Sequence, residues 1–163
     1  MKKTAKILAA VLMLVMVFGV FAGCGASPES EELEKFINTD MKDITANYED
    51  VKAEISKWED MQDNTAIAES ISGKVLPKIN DSLDKLSKIT LETESVKALK
   101  DKYEKSMTTF KAGYEMMLDA CNKNDVELST AAGDKLKEGT EQLNEYNTEL
   151  EKLADENGMT VEY

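Results

Sequence analysis

The sequence contains no histidine and no arginine, so lysine supplies all 20 of its basic residues. Without histidine, the chain cannot form a Ser-His-Asp triad, a Cys-His pair or a metal site that uses imidazole. Without arginine, it lacks the bidentate group that commonly binds phosphate and carboxylate. Its formal net charge of −12 also argues against a nucleic-acid partner, because phosphate binding requires concentrated positive charge. We therefore expect no catalytic residues and no metal site, and a protein that is not an enzyme.

Proline and aromatic residues are also scarce. Proline occurs twice in 163 residues, and aromatic residues make up 6% of the chain. So few helix-breaking residues predict long, continuous elements, and a chain of this length has room for one domain. Charged residues reach 32%, as is typical of solvated helices around a modest core.

The N-terminus has the pattern of an export signal. Lys2, Lys3 and Lys6 precede a run of 16 uncharged residues, 7–22. A transmembrane helix needs about 20 apolar residues, so this run is short for a span. A positive start, an apolar run and then small residues are typical of a signal peptide.

The run ends in "FAGC", which resembles the lipobox of bacterial lipoproteins at Phe21, Ala22, Gly23 and Cys24. Phe21 stands where that family usually has leucine. The resemblance implies diacylglycerol on the Cys24 thiol, cleavage before Cys24 and anchoring to the outer face of the cell membrane. No other cofactor is expected.

Three other interpretations of the leader stay open: ordinary signal-peptidase cleavage after Ala22, an uncleaved anchor and a buried core helix. If Cys24 carries lipid, Cys121 is a lone thiol, and a core role is expected for it. Removing Lys2, Lys3 and Lys6 changes the formal charge from −12 to −15. Such a body is repelled by anionic lipid headgroups.

Apolar residues recur at helical spacing through the rest of the chain, which predicts four amphipathic helices. Their core positions are Ile37, Met41, Ile44, Tyr48, Val51, Ile55 and Trp58; then Ile67, Ile71, Val75, Ile79, Leu83 and Leu86; then Val96, Leu99, Tyr103, Met107, Phe110, Tyr114, Met117 and Cys121; and finally Val126, Ala132, Leu136, Leu143, Tyr146, Leu150 and Leu153. The predicted fold is all-α, an antiparallel up-down bundle without strands.

Boundary residues refine this prediction. Ser27 and Pro28 suit the first helix start, Asn124 suits a helix N-cap with Glu127 three residues on, and Gly158 suits a C-cap. Pro77 predicts a kinked second helix, or a short helix followed by a longer one that starts near Pro77. The expected divisions are a signal peptide at 1–23, the lipidated cysteine and linker at 24–30, the bundle at 31–158 and a tail at 159–163.

A second resemblance covers residues 76–159. The stretches "VLPKINDSLDKLSKI", "TESVKALKDKYEKSM" and "NDVELSTAAGDKLKEGTEQLNEY" resemble a helical domain of uncharacterised lipoproteins in Gram-positive bacteria. The likeness consists of the apolar positions together with Pro77, Asn124-Asp125 and Glu138-Gly139. It implies a helical fold and no particular activity.

One ligand site can be suggested from the sequence. The small residues "STAAG" at 129–133 should face the large side chains at the end of the third helix. Interlocking of small and large residues is the expected arrangement. The alternative is a slot for an apolar ligand, lined by Phe110, Tyr114, Met117 and Gly133.

These observations favour a tethered, non-enzymatic interaction module of the cell envelope, whose partners are the membrane, through its lipid, and an envelope protein or wall polymer. Two alternatives stay open. One is a carrier of an apolar ligand or a metal in the inter-helical slot, and the other is a hydrolase that uses carboxylates. An interaction module that binds protein should expose a large apolar patch or a groove.

Overall fold

The computed structural model describes residues 18–20, 27–61 and 63–162, and within them the fold is all-α apart from one short pair of strands. The α-helices are α1 (Pro28–Lys35), α2 (Lys42–Ile55), α3 (Asn64–Ser70), α4 (Leu76–Lys88), α5 (Glu94–Lys123) and α6 (Val126–Glu156). The strands are β1 (Phe18–Val20) and β2 (Thr160–Glu162). The predicted fold class is therefore confirmed.

Short stretches of other helical types extend these helices. They are π-helical Phe36–Asp40, 3-10-helical Ser56–Glu59 and π-helical Ile71–Val75. Helical backbone therefore fills residues 28–59, with one turn at Met41, and residues 64–88. These two stretches, here called segment 1 and segment 2, match the first two helical patterns of the sequence, and α5 and α6 match the third and fourth.

The helix ends use side-chain caps. The Ser27 hydroxyl accepts a hydrogen bond from the N–H of Ser30 at 3.1 Å, and Pro28 follows it in the first turn, as predicted. The predicted N-cap of α6 is wrong by one residue, because Asp125, not Asn124, accepts from the N–H of Leu128 at 3.0 Å. Asn124 instead ends α5 with a φ of 53°, a left-handed conformation that asparagine tolerates.

Pro77 lies in the first turn of α4, which directly continues the π-helical stretch, and it has no N–H to donate to the preceding turn. Just before it, the N–H of Leu76 bonds to the carbonyl of Ile71, five residues back, which widens the helix by one residue. The chain thus passes Pro77 without leaving helical backbone, and the longer helix starts beside it.

The prediction that the chain has no strands is wrong. β1 and β2 pair antiparallel, with Gly19 opposite Val161. Three-residue strands are too short to produce a recognisable alternation of apolar and polar residues, so the sequence pattern did not reveal them.

The predicted core positions are largely buried in one cluster. Ile37 and Leu83 are only partly buried, and Val126 is exposed. Trp58, which could also have been a surface anchor for a partner, is 1% exposed, and its ring meets that of Tyr114 edge to face at 6.2 Å. The core assignment of Trp58 is confirmed.

Contacts between the segments run in opposite order along each neighbouring pair. Between segments 1 and 2, Lys78 pairs with Asp50 at 2.7 Å, and Lys74 pairs with Glu54 at 2.8 Å. Between α5 and α6, the Tyr103 ring meets Tyr146, whereas the Ser129 hydroxyl meets the Met117 sulfur further along α5.

A buried carboxylate joins segments 1 and 2 near the turn between them. Glu54, with a side chain 6% exposed, accepts hydrogen bonds from Lys57 at 2.6 Å and from Lys74 at 2.8 Å. The Ser70 hydroxyl donates to the same carboxylate at 2.9 Å and accepts from the indole N–H of Trp58 at 2.8 Å. The two lysines, assisted by Ser70, lower the pKa of Glu54 to about 2.

This network predicts loss of stability in acid. Because the pKa of Glu54 falls from 4.5 in the unfolded chain to about 2 in the fold, its contribution is complete above pH 4.5 and disappears as the pH falls toward 2. Glu54→Gln should lower the free energy of unfolding by about 1–3 kcal/mol at pH 7. Urea unfolding of the wild-type protein and of Glu54→Gln, at pH 7 and near pH 2, measures the difference in free energy of unfolding. A difference of the same size at both pH values would contradict the prediction.

Candidate functional site

The predicted lipidation site lies outside the residues that the structure describes. This applies to Cys24 and to the lipobox positions Phe21, Ala22 and Gly23. After them, the described chain resumes at Ser27, directly before α1. The proposed linker of 24–30 therefore overlaps the first turn of a helix, and this junction is where an anchor on Cys24 would meet the body.

At this junction, α1 is attached to the beginning of α5. The two carboxylate oxygens of Glu32 accept hydrogen bonds from the backbone N–H groups of Glu92 at 2.5 Å and Thr93 at 2.7 Å. The Ser95 hydroxyl donates to Glu29, and the Ser27 hydroxyl donates to Asn157 at 3.2 Å. We call this end of the molecule the near end, because it contains the first described residue after Cys24. Its residues are Ser27, Glu29, Glu32, Glu92–Ser95 and Asn157.

Glu32 provides the hydrogen-bond acceptors for the start of α5. Thr93 occupies the N-cap position, but its side chain makes no capping hydrogen bond. Burial opposes ionisation of Glu32, yet the hydrogen bonds from Thr93 and the N–H of Glu92 outweigh it and lower the pKa of the carboxyl. A negative charge here also suits the positive end of a 30-residue helix.

The four residues suggested for a ligand slot do not line one cavity. Phe110 and Tyr114 border a cavity shared with segments 1 and 2. The Met117 sulfur instead accepts a hydrogen bond from the Ser129 hydroxyl at 3.6 Å, and Gly133 is buried within α6. The cavity's other lining residues are Asn47, Tyr48, Val51, Lys78, Ile79, Ser82 and Met107.

The cavity measures about 10 Å³, which is room for one water molecule. Its polar wall includes Asn47, whose amide donates to Asp81 at 2.6 Å and to Ser82 at 3.3 Å. Sites for small organic ligands typically enclose about 300–1,000 Å³. The cavity would have to open before such a ligand could enter.

Close packing occupies the α5–α6 interface, where the slot was suggested. A Cβ added to Gly113 would lie 2.6 Å from the Leu136 side chain, and one added to Gly139 would lie 2.9 Å from the Phe110 ring. The Ser106 hydroxyl also donates to the Gly139 carbonyl at 2.8 Å. At these positions large side chains of one helix fill the space that glycine leaves on the other.

The hydrolase alternative depends on the pKa values of the carboxyl groups. A carboxylic acid that donates a proton at neutral pH needs a raised pKa. Among the described carboxyl groups, every resolved shift is a lowering, at Glu32, Glu54, Asp81 and Glu138. These groups therefore stay ionised at neutral pH.

The buried hydroxyl and thiol groups are also poor reactants. Burial raises the pKa of Tyr103, Tyr114 and Tyr146, and it raises the pKa of the Cys121 thiol. Cys121 is free and buried within the core cluster, as a small core residue would be. A protonated thiol is a weak nucleophile and a weak metal ligand.

In residues 18–20, 27–61 and 63–162, no three acidic or cysteine side chains group as metal ligands. None of the helices in that part of the chain combines the length and the apolar character needed to cross a bilayer.

Comparisons with known protein families, with curated proteins and with solved structures found no match for this chain. The resemblances to bacterial lipoproteins therefore stay expectations drawn from the sequence.

The close approach of α5 and α6 predicts a penalty for adding one methyl group. Gly113→Ala should lower the free energy of unfolding by about 1–2 kcal/mol, because Leu136 is 1% exposed and has little room to shift. Gly73→Ala is the matched control, since nothing lies within 4 Å of its added Cβ. It should leave stability unchanged or raise it by up to about 1 kcal/mol. Urea titration followed by circular dichroism decides, and equal stability of the two variants would show that the interface is loose.

The contact between Glu32 and α5 makes a separate prediction. Glu32→Ala removes the acceptor for two N–H groups at the start of α5 and should cost about 0.5–2 kcal/mol. Glu31→Ala is the matched control. It removes the same charge from the neighbouring residue, whose side chain is exposed, and it should lower the stability much less. Thermal unfolding at pH 7 compares them. Equal melting temperatures for the two variants would mean that the cap contributes nothing.

Proposed function

We propose that this chain is a lipid-anchored lipoprotein of the outer face of the cell membrane, whose helical body serves as a non-enzymatic interaction module of the envelope. The observation that carries the proposal is the leader. Three lysines, 16 uncharged residues that end in Ala22, and then Gly23-Cys24 together follow the pattern of a lipoprotein signal peptide. Two acyl chains on Cys24 would hold the protein on the membrane without a spanning helix.

Processing before Cys24 has a structural consequence for the strand pair. β1, at Phe18–Val20, belongs to the leader, and β2, at Thr160–Glu162, belongs to the body. Cleavage would separate the two, so their pairing is a property of the unprocessed chain. The remaining contacts of the near end lie after Cys24 and would persist in the mature protein.

We infer that segments 1 and 2, α5 and α6 form one antiparallel up-down bundle, with the second segment bent at the π-helical turn before Pro77. The opposite order of contacts in neighbouring pairs supports this arrangement. Hydrogen bonds from Lys100 to the carbonyls of Leu86 and Ile89 connect the end of segment 2 with the beginning of α5. Short connections between neighbours are typical of such bundles.

The exposed residues and the net charge of the body restrict the kind of partner that it can bind. Val126, 71% exposed, is the single exposed large hydrophobic residue among the described ones, so a broad apolar docking patch is missing from that part of the chain. The apolar patch expected of a module that binds protein is therefore not found there. The mature chain would carry a formal charge of −15. We propose instead that the body recognises its partner through charge, which requires a basic partner rather than an anionic wall polymer.

The carrier and hydrolase alternatives have less support. The cavity beside Phe110 and Tyr114 has room for about one water molecule. The buried carboxylate of Glu54 is paired with two lysines, the reverse of the environment that makes a carboxyl a proton donor. The tethered module is therefore the function that we propose.

Replacing the sulfur at the proposed anchor tests the function. Cys24→Ser should abolish labelling of the protein by radioactive palmitate in growing cells and leave the uncleaved precursor, because the lipidated cysteine directs processing in lipoproteins. Cys121→Ser is the matched control, since that thiol is buried in the body, and it should leave labelling unchanged. A Cys24→Ser protein that is still cut at the same bond and still sediments with membranes would contradict the proposal.

A further inference from the structure

Resting on the proposed lipid anchor, we propose that the near end is the membrane-facing surface, and that the body stands on it with its helices pointing away from the bilayer. The partner at the near end is the lipid surface itself. The opposite end, which contains residues 60, 61 and 63 and the turn at 124–125, is then presented to the envelope.

First, the linker between Cys24 and α1 is short. Ser27 lies three residues after Cys24, and three extended residues span at most about 11 Å. Ser27 caps α1, so the body begins there rather than after a flexible tail. A lipid on Cys24 therefore keeps the start of α1 close to the headgroups.

The second step is the attachment of α1 to the rest of the body. Glu32 holds the N–H groups of Glu92 and Thr93, and the Ser27 hydroxyl bonds to Asn157, 130 residues along the chain. These contacts connect the attachment point to the beginning of α5 and to the end of α6. The anchor thus constrains the whole near end and not one loose helix.

The third step is the length of the molecule. α5 contains 30 residues, which corresponds to about 45 Å along its axis. The turns at its far end are connected by a hydrogen bond from the Asn64 amide to Asn124 at 2.9 Å. An upright body would therefore hold these turns roughly 45 Å further from the bilayer than the near end, whereas a flat one would hold both ends at similar heights.

The fourth step is the choice between upright and flat. Acidic residues populate the exposed sides of the helices, and a flat body would bring them within a Debye length, about 8 Å, of anionic headgroups. The described sides also offer no large exposed hydrophobic residue to insert, because Val126 lies at the beginning of α6, beside the far turns. An upright body brings only the acids of the near end, such as Glu29, Glu32 and Glu92, close to the headgroups and keeps its remaining charge away from the bilayer.

Energy transfer to the bilayer surface tests the orientation. The full chain is expressed with its own leader, purified from membranes and reconstituted into vesicles of phosphatidylcholine and phosphatidylglycerol that carry an acceptor dye on their headgroups. In a Cys121→Ala background, a donor dye is placed at Glu31→Cys, near the anchor, or at Glu59→Cys, at the far end. The two variants are matched, since each removes one exposed acid from segment 1.

We expect the donor at position 31 to lose most of its fluorescence to the acceptor, and the donor at position 59 to keep most of its own. Equal transfer from both positions, or stronger transfer from position 59, would overturn the orientation. Mass spectrometry of the same preparation reports the lipid on Cys24. A lipidated protein with equal transfer refutes the orientation alone, whereas a protein without lipid refutes the proposed function and the orientation with it.

Discussion

The close approach of α5 and α6 is the constraint on which the rest of the structure depends. These are the two longest helices, and glycine at positions 113 and 139 lets them come near enough for Leu136 and Phe110 to fill the gaps. Helices of this length gain most of their stability from such packing rather than from intrinsic propensity. Segments 1 and 2 then complete the core around α5, where Trp58 meets Tyr114.

The sequence predicted those features that repeat along one helix. The spacing of apolar residues located the helical stretches, and it placed Trp58 and Cys121 in the core, where both are found. Local chemistry located the cap at Ser27, because its hydroxyl bonds to a backbone group only three residues away. Each of these predictions needed information from a single stretch of chain.

Features that depend on contacts between distant stretches could not be predicted in this way. Glu32 caps a helix that starts about 60 residues later, and nothing in the spacing around Thr93 reveals that its own side chain leaves this role. The surroundings of the residues suggested for the slot also depend on distant stretches. Phe110 and Tyr114 border the cavity shared with segments 1 and 2, whereas Met117 meets Ser129 on α6, and the sequence contains no signal for that division.

The carboxylates of Glu54 and Glu32 are held by hydrogen bonds inside the fold. The Glu54 carboxylate has its charge balanced by two lysines and its oxygens occupied by hydrogen bonds, so it has no free energy to gain by taking up a proton near neutral pH. Glu32 is likewise held by N–H groups. Carboxylates satisfied in this manner stabilise one arrangement of the helices, while the unpaired acids outside remain hydrated and keep the body off an anionic surface. In a protein that is held by a lipid, a fixed arrangement of the helices and a surface repelled by anionic headgroups are compatible. The lipid then provides the membrane adhesion, and the body does not need to bind the bilayer.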